Sequence, residues 1–219
     1  MTALESRMNF QIAREALKKA YPKIDTTQFV LTQSTLVLEQ ALVAGQREYL
    51  FPILETQNAL GSFNTEIRVK YQDSFIATQM AYNICNPTSA INTAFIPDTY
   101  PNPFTYGANA AAMQSLYNGS IKMTINNEVI LYNWDLMKHY VSPQTQATAA
   151  PGAASPIDQK RMTMDCFEPI EPTITMVGTN DNQLQVILNG APASFNAFTR
   201  LRITLRGVNA QNSTVFVRN

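Results

Sequence analysis

Thr199-Arg200-Leu201-Arg202-Ile203-Thr204-Leu205-Arg206 alternates apolar and polar residues along its length. Successive side chains of an extended strand point to opposite sides. Leu201, Ile203 and Leu205 therefore form one face, and Arg200, Arg202, Thr204 and Arg206 the other. A strand patterned this way belongs to a sheet with a buried side. Three arginines on the opposite face repel one another unless something anionic lies near. Two readings stay open for them: local Glu or Asp partners on a solvated face, or the acidic strip of a neighbouring subunit, or a phosphate. Arg200, Arg202 and Arg206 are thus candidate interface residues.

The same texture extends outward from this stretch. Phe29 to Leu42 is thick with Val, Leu and Thr, and Arg47 to Leu54 contains Tyr49, Leu50, Phe51 and Ile53. Pro52 makes part of that run an edge or a bulge. Asn64 to Tyr71 sets Ile67, Val69 and Tyr71 against Glu66, Arg68 and Lys70, which predicts another strand. Phe75 to Ile84 is apolar on both faces, as a central strand would be. Gly119 to Ile125 and Val129 to Trp134 flank Asn126-Asn127-Glu128, a hairpin signal. Arg161 to Phe167, Thr173 to Val177, Gln183 to Leu188 and Thr214 to Val217 continue the pattern, with turns at Gly178, at Gly190 with Pro192, and at Gly207. About ten short strands between turn signals predict a mainly β chain. The loops are long and adjacent hairpins few, so the expected fold is a single jelly-roll or Greek-key β-sandwich over residues 25–219. Long loops are expected at 86–106 and 141–159. Gln144 to Pro156 is too poor in apolar side chains to order itself and reads as mobile.

Residues 1–24 read as an amphipathic helix or arm. Thr2 and Glu5 have capping-box spacing, and Pro22 stops the helix. Leu4, Met8, Ile12 and Ala16, with Leu17 and Ala20 nearby, form the expected apolar stripe. Arg7, Arg14, Lys18 and Lys19 line the other side. Such a helix packs on the sheet as a lid, or docks on a neighbour, a membrane or a nucleic acid. No secretory leader is expected, since the start lacks an apolar core. No apolar run is long enough to span a bilayer. Synthesis in the cytoplasm is the expectation.

Composition narrows the function classes. Charged residues make up 15% of the 219 positions, against about 25% in an average domain. Asn, Gln and Thr number 19, 15 and 22 instead. Their side chains hydrogen-bond at an interface without desolvating an ion. Net charge is zero, so no nucleic acid is implied as the main partner. Cys85 and Cys166 can form at most one bridge, and two buried free thiols are the simpler expectation.

Signals for catalysis are sparse. His139 is the single histidine, and no Gly-x-Ser-x-Gly elbow presents a nucleophile. Asp135 lies four residues before it, and a surface ion pair or hydrogen bond is the plain reading. Cys-x-x-Cys, paired His and EF-hand patterns are missing from the sequence. No enzyme activity, cofactor, metal or small-molecule substrate is expected. Glu168 and Glu171 are close in sequence, but Pro169 and Pro172 hold them in an extended stretch. The aromatic, Pro-marked segment around Tyr100, Phe104 and Tyr106 supplies either interface anchors or a plug folded back on the core. A rival function class, a carbohydrate-binding sandwich, would use Tyr100, Tyr106 and Trp134 as its platform.

An N-terminal amphipathic helix, the run Gln46-Arg47-Glu48-Tyr49-Leu50-Phe51-Pro52-Ile53, strands with long loops, and a final strand such as Arg200 to Val208 together resemble a jelly-roll virion protein. The comparison is with capsid and coat proteins of icosahedral viruses and phages. The resemblance implies assembly: the sandwich contacts copies of itself and other virion proteins, loops and helix clamp neighbours, and the protein resides in the virion.

Overall fold

The computed structural model describes residues 3–23, 25, 29–54, 66–89, 95, 97–101, 103–141 and 166–214. Eight strands among them form two four-stranded antiparallel sheets packed as a sandwich, so the predicted β-sandwich is present. The strands are β1 (Val30–Ala41), β2 (Glu48–Pro52), β3 (Ser74–Cys85), β4 (Gly119–Ile125), β5 (Glu128–Asp135), β6 (Glu168–Val177), β7 (Asn182–Leu188) and β8 (Arg200–Gln211). One sheet has the order β1-β8-β3-β6, the other β2-β7-β4-β5. The pairs β1/β8, β2/β7, β3/β6 and β4/β5 are nested about one tight turn. In that turn Asn126 and Asn127 both have positive φ, a backbone that Asn adopts more readily than most residues. The chain is thus one long hairpin, rolled so that β8 also pairs β3 and β7 also pairs β4.

The inner faces supply the main core. Leu36 and Leu38 of β1, Tyr49 and Phe51 of β2, Met80 and Tyr82 of β3, Leu184 and Val186 of β7, and Leu201, Ile203 and Leu205 of β8 meet there. Alternation decides this: each set occupies every second position of its strand. Helix α1 (Ala3–Ala20) closes a second, smaller core on the outside of the β1-β8-β3-β6 sheet. Ala13 and Leu17 are buried there against Ile76, Val208 and Ala210, with Phe10 and Ala16 beside them. This differs from the predicted stripe, because Met8 and Ile12 remain exposed. The helix is rolled onto Phe10, Ala13 and Leu17 by its end, where the Tyr21 hydroxyl meets Ser74 Oγ at 2.8 Å and its ring packs edge-on against Phe29. The capping residue Thr2 lies outside the described residues. Helix α1 sits as a lid, one of its two predicted roles.

Two expectations are corrected, and a third lies mostly outside the described residues. Of the span 64–71, residues 66–71 are described, and among them Ile67 and Val69 form isolated bridges rather than a strand. Its alternation is reversed in part, since Ile67 and Tyr71 are exposed while the side chains of Glu66 and Arg68 are buried as an ion pair. The expected strand from Arg161 lies mostly outside the described residues, and β6 begins at Glu168. Gly207 is not a turn, for β8 runs through it to Gln211. A bulge in β3 between Ala77 and Gln79 brings the Ile76 carbonyl against Gly207, so that a Cβ would collide with that oxygen. The extra bulge residue, Thr78, donates its hydroxyl to the Arg206 carbonyl. Residues 144–156 and 215–217 lie outside the described residues. Gly207→Ala should lower stability by about 1–3 kcal/mol or more, read as a lower urea midpoint. An unchanged midpoint would contradict the close approach.

Candidate functional site

The arginine face is built first by β8. Its outer positions carry Arg200, Arg202, Thr204 and Arg206, then Val208 and Ala210 under α1. Register sets Glu39 of β1 and Asn83 of β3 on either side of Arg202. Glu39 accepts from Arg200 Nη1 at 3.1 Å through Oε2, and from Arg202 Nη1 at 3.0 Å through Oε1. Arg200 is only 2% exposed. The expected solvated face is therefore corrected for Arg200: a carboxylate inside the chain neutralises it. Glu39 in turn takes its place beside the Glu66–Arg68 pair, with its backbone N–H donating to Glu66 Oε1. Arg206 stacks its guanidinium over the Phe167 ring, 3.5 Å from the centroid. Burial lowers its pKa. This cluster holds charge; it positions no reactive group.

The aromatic loop is a plug. Tyr100 and Tyr106 are buried, which removes both as exposed anchors and as a sugar platform. Tyr106 ends α2 (Pro103–Tyr106) and donates to Asp98 Oδ2 at 3.0 Å. Tyr117 donates to the Asp98 carbonyl, and its ring packs edge-on between Tyr82 and Tyr140. The short helix α3 (Ala110–Met113) and the turn Gln114–Tyr117 carry Met113, Leu116 and Tyr117 into the core. The side chain of Phe104 lies outside the described residues. Burial pushes the Asp98 carboxyl up to about 6, the Tyr106 hydrogen bond opposing it. Sequence reasoning missed Asp98, since nothing local distinguishes it from a turn aspartate.

His139 closes a third cluster. It ends the turn Leu136–His139 and is fully buried. Trp134 Nε1 donates to its Nε2 at 2.9 Å, and its Nδ1 lies 3.0 Å from the Cys166 carbonyl. Trp134 is thus engaged by the imidazole and by Lys138, whose Nζ lies 4.3 Å over its ring. The expected Asp135–His139 hydrogen bond is corrected: Asp135 caps the turn instead, accepting from the Met137 N–H. Cys85 and Cys166 are buried free thiols, with Asn83 Nδ2 3.6 Å from Cys166 Sγ. Among the described residues, no group of three or more His, Cys, Asp or Glu could hold a metal ion. None of their helices is long and apolar enough to cross a membrane.

What remains open to a partner is surface. Arg14, Lys18 and Lys19 are exposed on α1, beside Met8 and Ile12; the Arg7 side chain lies outside the described residues. The four sheet edges differ. β1 is bridged by Ile67, which exchanges both backbone hydrogen bonds with Val37. β6 carries Pro169 and Pro172, and β2 is short and ends in Pro52. Proline and brevity protect an edge from adding strands. β5 has neither proline nor lysine, and its charges, Glu128 and Asp135, stand at its ends. Val129, Ile130 and Tyr132 are 43%, 44% and 78% exposed along it. Next to it the outer face of its sheet carries Ser120, Lys122, Thr124, Gln183, Gln185, Ile187, Glu48 and Leu50. Sequence reasoning placed β5 but not its edge position, which depends on strand order. No protein-family model and no curated protein matches the chain.

Removing the charge from Glu39 leaves two guanidinium groups without their counter-charge, one of them buried. Glu39→Gln should destabilise the fold by about 3–5 kcal/mol, measured by chemical denaturation. Asp98 gives a pH signature. Its folded pKa, about 6, exceeds the ordinary 3.8. The neutral carboxyl therefore stabilises the fold fully below pH 3.8, and that contribution is lost as pH rises through about 6. Asp98→Asn should flatten this part of the stability–pH curve, and an unaltered curve would contradict it.

Proposed function

We propose that the chain is a structural subunit of a virion, a capsid or capsid-associated protein that works through self-assembly and protein–protein contacts. The observation that carries this reading is the nested pairing β1/β8, β2/β7, β3/β6 and β4/β5. In this reading the two sheets, of order β1-β8-β3-β6 and β2-β7-β4-β5, are those of a jelly roll, an architecture found in viral capsid proteins. The polar groups gathered inside the protein support the same view. Glu39 with its arginines, Asp98 with its tyrosines and His139 with Trp134 are all spent on one another.

The contact surface in this reading is the β5 edge, and its occupant is a second copy of the chain. Val129, Ile130 and Tyr132 stand exposed along a strand whose outer edge no other described strand pairs. The Gln, Ser and Thr side chains of the neighbouring face can be buried without desolvating ions, and its two charges, Lys122 and Glu48, are of opposite sign. Exposed Arg14, Lys18 and Lys19 are available to a further virion component, an anionic membrane or a nucleic acid.

Size-exclusion chromatography with light scattering tests the reading. Concentration-dependent oligomers are expected, and a strict monomer at high concentration would sink it. Tyr132→Lys places a charge on the edge and should weaken self-association tenfold or more, about 1.4 kcal/mol, with circular dichroism unchanged.

A further inference from the structure

The imidazole of His139 joins parts of the chain that belong to different sheets. Trp134 lies near the end of β5, the outermost strand of one sheet. Cys166 immediately precedes β6, the outermost strand of the other, by two residues. Between them, the Trp134 N–H reaches Nε2 at 2.9 Å and Nδ1 lies 3.0 Å from the Cys166 carbonyl. An indole N–H only donates and a carbonyl only accepts. Both bonds therefore require one form of the ring: neutral, with its proton on Nδ1. We propose that His139 is a proton-operated pin, which in its neutral form ties β5 to the start of β6 and on protonation releases that side of the sandwich.

The charge logic supports release. A second proton on the ring makes Nε2 a donor facing the Trp134 donor, and the hydrogen bond is lost. The new cation would be buried, beside the Lys138 ammonium in the same turn. The hydrogen bond to the Cys166 carbonyl, then Glu168 of β6 and Asp135 of β5, pull the other way, but burial outweighs them and lowers the pKa below 6.5. On the elements packed against the turn, Tyr82 of β3 and Tyr117 are phenols whose pKa values burial raises, so they stay neutral. Lys122 of β4 lies on the outer face of its sheet. The sign follows. The unfolded chain takes up this proton near 6.5 and the folded chain only below it, so the pin is whole above 6.5 and fails as pH falls further. This inference does not depend on the virion reading, because it needs only the single chain.

Two residues make the test clean: His139 is the single histidine and Trp134 the single tryptophan. Tryptophan emission and acrylamide quenching are followed from pH 8 to pH 4.5, alongside the imidazole Cε1–H resonance and far-ultraviolet circular dichroism. A red shift and greater quenching are expected at the same midpoint as the imidazole, below 6.5, with circular dichroism unchanged. His139→Gln keeps an acceptor and a donor but no titration, and should abolish the shift. Asp98→Asn removes a second buried group titrating in this window, near 6, and should retain it. Emission that stays flat through the imidazole titration overturns the proposal. So does a shift that persists in His139→Gln or vanishes in Asp98→Asn. Should His139→Gln not fold, the coincidence or separation of the two wild-type midpoints decides alone.

Discussion

Strand β8 is hydrogen-bonded along both edges and covered on both faces, and the rest of the sandwich is arranged around that confinement. Its inner residues Leu201, Ile203 and Leu205 need only apolar neighbours. Its outer residues change character along the strand, from arginines to Val208 and Ala210. Helix α1 covers the apolar end. The charged end must be matched within the protein, because an unpaired buried guanidinium is far costlier than a paired one. Glu39, directly across in β1, does this for two arginines at once. Gly207 marks the boundary, where the β3 bulge leaves no room for a side chain.

The local parts of this plan were legible in the sequence. Alternation located β1, β3, β4, β5 and β7, and Asn126-Asn127 located the turn between β4 and β5. What could not be read was which polar face would be buried. Arg200 looked solvated because its partner lies 161 positions away. Glu66 and Arg68 looked outward-facing because both are charged, yet they pair with each other and Glu66 also accepts from the Glu39 N–H. Gly207 looked like a turn because glycine signals two things, a bend and a lack of space, and only the neighbouring strand distinguishes them. Tyr100 and Tyr106 could be anchor or plug, and the aspartate that draws Tyr106 inward carries no local signature.

Inside and outside divide the protein's chemistry. Buried titratable groups are engaged with one another: a carboxylate with two guanidiniums, a raised carboxyl with a phenol, an imidazole with an indole and a carbonyl. The chain as a whole is low in charge and rich in amides and hydroxyls, and among the described strands β5 is the unprotected margin. Three of four margins carry a device that blocks strand addition, which makes the fourth conspicuous.

The nesting of the strands also has a temporal side. The partner of β1, the first of the described strands, is β8, the last of them to be synthesised, and β8 is equally the partner of β3. While the chain is still on the ribosome, neither strand has the neighbour that completes its sheet. Only the β4–β5 hairpin can form early, from residues close in sequence. The outermost pairing must bring together segments separated by most of the chain, which is slow. The nascent protein therefore waits, with its longest apolar strands open, until residue 211 has left the exit tunnel.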